Sequence, residues 1–407
     1  MKKFVVFMLI VIIVSLTMCT RDFSMFPDGQ TDRELTSLEK ELSSSSSEFG
    51  FQMFRKILQD QPDSSIFISP LSISMALGMT YNGAEGETEN AMRTVLGYEN
   101  LTDEQINANY ASLIHLLTNR DENVQMTIAN SIWIREGFPV QQDFIDLNKK
   151  YFNARVDNLD FSSSEAVEII NNWVSQNTNN NIEKIINKID PLVVMYLINA
   201  IYFKAFWQYP FDTEKTSEGW FFKQNGDSVL CAFMQQENSF QYVGTDQFQA
   251  VDLTYGQGSF SMSLLLPKSG YTVTDIISDL NKNEWDTLAD QFSPVTMILK
   301  IPKFTLEYNI TLNEVLKSLG MDTAFDEINA DFSGINPDYQ LYISNVLHKS
   351  FIQVDEEGTE AAAATSVEVS LTSVPRTVSF NHPFIFIIRE RSSNTILFMG
   401  VMQEPVE

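Results

Sequence analysis

Apolar residues recur along most of this chain in two alternating rhythms, one helical and one of strands, and the places where both fail are also informative. Lys2 and Lys3 precede the apolar stretch Phe4 to Met18, which has the charged and hydrophobic regions of an export signal and is short for a spanning helix of roughly 20 residues. From Thr20 to Ser47 no hydrophobic period is sustained. The stretch ends in five serines, Ser43 to Ser47, and residues 19–47 read as a flexible tether with an r.m.s. reach of roughly 30 Å. From Glu48 the periods return and run on without an internal repeat or a second linker, so residues 48–407 are expected to form one domain.

Within that domain, Phe51, Phe54 and Leu58 fall at helical spacing and predict an opening amphipathic helix. Ile66-Phe67-Ile68 reads as a short buried strand, after which Ser69 and Pro70 supply the N-cap and first-turn proline of a helix carrying Leu71, Met75 and Met79. Thr102 followed by Gln105 makes a capping box ahead of the stripe Ile106, Tyr110, Leu113, Ile114 and Leu117. A further helix carries Ala166, Ile169, Ile170, Trp173 and Val174 and stops at the Asn-rich turn Asn177 to Asn181. The run Leu192 to Phe203 is almost wholly apolar and predicts a strand covered on both faces. Asn199 is its odd member, and because a buried amide needs partners it predicts a polar cluster inside the core. Strands at Phe260 to Leu266, Met297 to Ile301 and Ile385 to Ile388 complete an α+β pattern with large sheets.

The stretch Val354 to Phe384, VDEEGTEAAAATSVEVSLTSVPRTVSFNHPF, fits neither rhythm in the ordinary way. Placed as a strand from Thr359, one face carries Thr359, Ala361, Ala363, Thr365, Val367 and Val369, all small or β-branched and none charged. The other face carries Glu360, Ala362, Ala364, Ser366 and Glu368, so one side suits a packed core and the other suits water. Four consecutive alanines are nevertheless poor strand formers. The segment therefore reads as bistable, a loop in one state and a strand in another.

Composition narrows the chemistry. The 407 residues hold 27 Lys plus Arg against 53 Asp plus Glu, a net charge of -26, which argues against nucleic-acid partners and against anionic lipid surfaces. Two cysteines, Cys19 and Cys231, make no disulfide framework, and Cys231 reads as a buried small hydrophobe. No nucleophile elbow, H-E-x-x-H motif or P-loop occurs, and three histidines offer little for acid–base or metal chemistry. His115 lies on a helix stripe, while His348 and His382 sit in strand-like surroundings and read as hydrogen-bonded core histidines. No cofactor or metal is implied, and the chain does not read as an enzyme.

Leu16-Thr17-Met18-Cys19 resembles the lipobox of bacterial lipoproteins, although Met18 stands where Gly, Ala or Ser is usual. It implies lipidation of Cys19 after removal of residues 1–18, with simple cleavage or an uncleaved anchor as alternatives. The protein is thus expected to be exported, as a cell-envelope lipoprotein or an extracellular protein, with its lipid as the only membrane contact.

The segment EEGTEAAAAT, which is Glu356, Glu357, Gly358, Thr359, Glu360, Ala361, Ala362, Ala363, Ala364 and Thr365, resembles the proximal hinge of inhibitory serpins. IFISPLS at Ile66 to Ser72, NAIYFKAFW at Asn199 to Trp207, IPKF at Ile301 to Phe304, VLHKS around His348, FNHPF at Phe380 to Phe384 and LFMG at Leu397 to Gly400 match motifs of that family in order, so the resemblance covers about 48–405. It implies a serpin fold of three β-sheets, including a large central sheet A, and about nine helices, with a reactive-centre loop spanning 356–376 and exposed from Gly358 to roughly Arg376. By resemblance, Ser69, Ser72, Asn199 and His348 are the polar shutter beneath the main sheet. Trp207 marks the breach where insertion begins, and Lys303 pairs with Glu356. Counting from the hinge glutamate and back from Asn381, the resemblance implies a reactive-site bond Thr372-Ser373, with Leu371-Thr372 as the alternative. It implies a monomeric serine protease inhibitor whose targets are elastase-like, subtilisin-like or chymotrypsin-like enzymes, with cysteine proteases a further class. The alternative is a non-inhibitory binding or carrier protein of the same fold.

Overall fold

Capping chemistry sets where the early helices begin in the computed structural model, which describes residues 33–190, 192–359 and 376–406. In chain order the elements are α1 (Ser37–Asp60), β1 (Ile66–Ile68), α2 (Pro70–Tyr81), α3 (Gly86–Val95), α4 (Asp103–Thr118), β2 (Val124–Arg135), α5 (Gln142–Phe152), β3 (Arg155–Leu159), α6 (Ser164–Asn177), β4 (Met195–Phe206), β5 (Ser217–Phe222), β6 (Ser228–Gly244), β7 (Phe248–Tyr255), β8 (Phe260–Pro267), α7 (Val273–Asp279), α8 (Lys282–Asp290), β9 (Ser293–Pro302), β10 (Phe304–Thr311), α9 (Asn313–Leu316), β11 (Leu347–Val354), β12 (Gly358–Thr359), β13 (Arg376–Ser379), β14 (Phe384–Glu390) and β15 (Thr395–Met402). The Ser69 hydroxyl accepts from the N–H of Ser72 at 3.2 Å with Pro70 in the first turn, and Thr102 with Gln105 closes its capping box, as the sequence predicts.

The serine run behaves otherwise. A capping box of Thr36 with Glu39 starts α1 at Ser37, so the five serines lie within a helix rather than in the flexible tether expected up to residue 47. Ser43, Ser46 and Ser47 are buried. The Ser43 hydroxyl meets that of Thr395 at 2.5 Å and the Ser46 hydroxyl meets that of Ser74 at 2.9 Å, while Ser45 donates to the carbonyl of Gly97 at 2.7 Å. Small side chains let α1 pack closely, and the hydroxyls of Ser43, Ser45, Ser46 and Ser47 find partners there, which a linker composition does not reveal. Ahead of the helix, Arg33 pairs with the buried Glu39 at 2.5 Å, so the folded body reaches back at least to Arg33.

Among the described residues there are nine α-helices and three sheets. A nine-stranded sheet runs β1-β15-β14-β8-β7-β6-β9-β13, with β5 also pairing β6. Its core strands β8, β14 and β15 are buried along their whole length, and Phe67 of β1 stacks on Phe386 and Phe398 at 5.5 and 5.2 Å. The other two sheets are halves of one layer, a four-stranded half β12-β4-β2-β3 and a two-stranded half β10-β11. The large central sheet expected from the sequence is thus present but parted. A main hydrophobic core lies on one side of that layer, and a smaller one, with Trp133, Ile170, Trp173, Ile182 and Ile186, fills the space beneath α6 on the other.

Two details of the predicted elements differ. Strand β4 starts at Met195, and Leu192, 84% exposed, precedes it. Both faces of β4 are covered as expected, but its free edge borders the parting and leaves Met195, Tyr196 and Leu197 half-buried. Ile169 is 38% exposed, because Ala166, Ile170, Trp173 and Val174 already fill the stripe of α6 that faces the sheet.

Candidate functional site

Gly358 and Thr359 are where the loop segment meets the parted sheet. They form β12 and pair antiparallel with β4, Gly358 opposite Phe206 and Thr359 opposite Ala205. Both are buried, which corrects the expectation that the chain is exposed from Gly358 onward. The pairing leaves Gly358 at φ +151°, where an added Cβ would sit 2.2 Å from the Ala205 carbonyl and 2.7 Å from the Cα of Phe206, so the position accepts only glycine without movement. The Thr359 side chain points into the main core and its hydroxyl meets that of Tyr255 at 2.9 Å.

A dense set of bonds holds this hinge. The Asp355 carboxylate accepts from the N–H groups of Glu357 and Gly358 at 3.0 and 3.2 Å, and the Asp355 N–H donates to the Gly358 carbonyl at 3.0 Å, closing a reversal between β11 and β12. Trp207, buried and stacked on Tyr255 at 4.4 Å, donates from Nε1 to the Asp355 carbonyl at 2.9 Å, and its backbone N–H donates to Glu357 at 2.8 Å. The expected ion pair is present, with Lys303 Nζ 2.8 Å from Glu356, whose other oxygen accepts from Thr216 at 2.7 Å. Burial opposes ionisation of Glu356, but the bonds from Lys303 and Thr216 outweigh it and hold the carboxyl below its ordinary range.

Below the hinge, no described residue of β11 pairs with β4. The gap between them opens at its lower end into a cavity of about 330 Å³ lined by residues including Ser72, Leu197, Asn199, Val346 and His348. Towards the hinge it narrows to a small void bounded by Ile201, Phe203, Phe351, Gln353 and Thr359, over which Thr178, Asn181 and Ile182 of the segment after α6 form a roof. The edge of β4 beneath β12 and the facing edge of β11 thus bound a slot, and the reversal at Asp355 means that a strand continuing β12 behind Thr359 runs antiparallel to β4.

Three of the four predicted shutter residues, Ser72, Asn199 and His348, border the lower cavity, and Ser69 lies against them. The backbone N–H of Ser69 donates to Nε2 of His348 at 3.2 Å, and the Ser69 hydroxyl donates to the Leu397 carbonyl at 2.7 Å. Burial drives the pKa of His348 down to about 4, leaving a neutral ring that accepts this bond. The sequence grouped Asn199 with these residues, but its amide donates instead to Asn130 on β2 at 2.7 Å, while its own carbonyl oxygen is buried without a partner among the described residues. The reason is register: Asn199 and Asn130 are directly opposed across β2 and β4, whereas His348 stands on the far side of the slot.

Asn130 is therefore a site residue that the sequence reading missed, although an amide within the apolar run Ile128 to Ile134 carries the same signal as Asn199. Tyr255 and Thr216 were also missed, and no local pattern marks them. Glu360, Ala361 to Ala364, Thr365, Leu371, Thr372, Ser373 and Cys19 lie outside the described residues. His382 lies 3.1 Å from both the Asn381 side-chain oxygen and the Pro267 carbonyl, and Cys231 is buried and in no disulfide among the described residues.

A family profile described as Serpin (serine protease inhibitor) matches residues 44–405. Over 390 residues the chain is 34% identical to Serpin B11 of Homo sapiens, covering 89% of this chain and 99% of that one. Among solved structures, the thermophilic serpin tengpin in its native state matches with a TM-score of 0.82 and 35% identity, covering 91% of this chain and 95% of that one. Human thyroxine-binding globulin matches with a TM-score of 0.84 and 28% identity, over 91% and 100% of the two chains. With a parted sheet, a docked hinge and a family profile spanning the body of the molecule, this chain belongs to the serpin family.

Proposed function

We propose that this protein inhibits serine proteases as a suicide substrate. The observation that carries the reading is the slot, whose first two positions are already filled by Gly358 and Thr359 in strand register. Continuing that register would set Ala361, Ala363, Thr365, Val367 and Val369 opposite Phe203, Ile201, Asn199, Leu197 and Met195, the β4 residues that face the main core. Glu360 would fall opposite Lys204, on the side of α6. The uncharged face of the segment thus matches the buried face of the slot.

In this reading a target serine attacks the carbonyl of Thr372, the Thr372-Ser373 peptide bond breaks, and the proton passes to the departing Ser373 amine, leaving the protease esterified to Thr372. The released strand then enters the slot and carries the protease with it before water hydrolyses the ester. Inhibition is a race between insertion and deacylation. A small, uncharged Thr372 suits elastase-like or subtilisin-like enzymes, and cleavage after Leu371 would suit chymotrypsin-like ones. We further propose export through residues 1–18 with lipid attachment at Cys19. The second reading, a non-inhibitory carrier, is favoured by the likeness to thyroxine-binding globulin but not by a hinge of small, uncharged residues.

The full chain is incubated with a panel of serine and cysteine proteases, followed by denaturing electrophoresis and mass spectrometry. An SDS-stable adduct and a released C-terminal fragment beginning at Ser373 are expected. Cleavage of the loop without an adduct for any enzyme overturns the inhibitor reading, and a fragment beginning at Thr372 moves the bond by one residue.

A further inference from the structure

An entering strand must pass beneath α6 and the segment that follows it. This roof spans both lips of the slot. On the β4 side, Ile198 and Ala200 belong to the small core under α6, and the amide of Asn179 donates to the Tyr202 hydroxyl at 3.2 Å. Across the gap, Phe351 of β11 packs against the same core, which includes Ile182 and Ile186 of the roof. The two lips of the slot can therefore separate further only as far as this cover allows.

Asn171 makes three of the bonds that fasten the cover. Asn171, buried in the middle of α6, donates from Nδ2 to the carbonyl of Ile186 at 2.8 Å and accepts at Oδ1 from the N–H groups of Ile185 and Ile186 at 2.9 and 3.1 Å. Three bonds from a single amide fix two consecutive peptide units that belong to no helix or strand, so the segment has no ladder of its own to hold it there. Thr178, which caps α6, accepts from the N–H of Ile182 at 3.2 Å but reaches only the near end of the segment.

We propose that Asn171 is a positioning residue for strand insertion, a latch whose three bonds must break before the roof lifts and the cleaved loop can pass. It sets the rate of insertion, and hence the partition between trapped and released protease. The inference rests on the inhibitor reading for its biological consequence, but the latch acts on insertion itself, however the loop is cut. Replacing Asn171 by Ala strips the closed roof of bonds that the open roof lacks, so insertion accelerates by roughly tenfold, taking about one net hydrogen bond's worth of closed-state stability as lost.

The test uses the full chain. The loop is nicked by a protease that is not trapped, and the rise in thermal stability that follows insertion is timed for wild type, Asn171→Ala, Asn171→Asp and Asn177→Ala. Asn171→Asp keeps the two accepted bonds but sets a carboxylate oxygen against the Ile186 carbonyl, so it too speeds insertion and serves if the alanine variant does not fold. Asn177→Ala breaks a bond internal to α6, from its amide to the Trp173 carbonyl, and leaves the rate at the wild-type value. Hydrogen exchange at the Ile185 and Ile186 amides rises in the Asn171 variants alone. Unchanged insertion rates in both Asn171 variants, or equal acceleration in Asn177→Ala, overturn the latch. A wild type that inserts after nicking yet gives no SDS-stable adduct overturns the inhibitor reading while leaving the latch to be judged on these rates.

Discussion

Replacing Thr359 by Arg puts a charge on the first side chain of the hinge strand, behind Gly358, that sits in the core. Thr359 is 4% exposed and its hydroxyl is bonded to the buried Tyr255. An arginine there must either carry its guanidinium into the core or pull β12 out of the sheet. The first course costs several kcal/mol of desolvation, and the Tyr255 hydroxyl loses its partner in either case. Taking about 4 kcal/mol as the barrier added at the first inserted residue, and 1.4 kcal/mol per factor of ten, insertion slows about a thousandfold while deacylation is unaffected. Hydrolysis then wins the race, so the variant is cleaved at the same bond as wild type but releases active protease. The assay is the molar ratio of inhibitor to enzyme needed for complete inhibition, together with SDS-stable adduct formation. Thr359→Ser, which keeps the hydroxyl and the small volume, retains wild-type stoichiometry. An arginine variant that still traps its target one-for-one would refute the claim that insertion proceeds from a Thr359 seated in the core.

Two further outcomes follow from the hinge and the shutter. In Gly358→Ala the new methyl collides with the Ala205 carbonyl and cannot be relieved by a flexible side chain, so β12 leaves the sheet. Cleavage after Glu356 or Glu357 by a glutamyl endopeptidase rises at least about tenfold, equivalent to losing roughly 1.4 kcal/mol of hinge docking, and unchanged protection would count against the paired hinge. His348 has a folded-state pKa depressed to about 4 against about 6.5 unfolded, so between those values the unfolded chain binds a proton that the folded one does not. Its contribution is complete above pH 6.5 and is lost as pH falls towards 4, amounting to about 3 kcal/mol. His348→Gln, assayed by denaturant unfolding across that window, flattens the pH dependence, and a variant with the wild-type slope would show that other groups cause it.

The family resemblance sufficed to predict three sheets and the Lys303–Glu356 pair, and the uncharged face that begins at Thr359 agrees with the buried place of that residue in β12. Capping at Ser69 and Thr102 was legible because local chemistry is encoded residue by residue. Three things were not. The serines at 43–47 have a linker composition, and only the close approach of Ser74, Gly97 and Thr395 from elsewhere in the chain makes them buried helix residues. Asn199 announced that it needed partners but not which, since strand register rather than sequence neighbourhood set it opposite Asn130 and away from His348. Finally, the extent to which the hinge is already inserted depends on Tyr255, Trp207 and Ala205, residues about 100 to 150 positions away that meet Thr359 and Asp355 only in the folded molecule. The sequence by itself determined that the segment behind Gly358 has one uncharged face and one polar face. Tertiary structure alone decided that Gly358 and Thr359 already pair with β4, because that depends on long-range packing that no local period records.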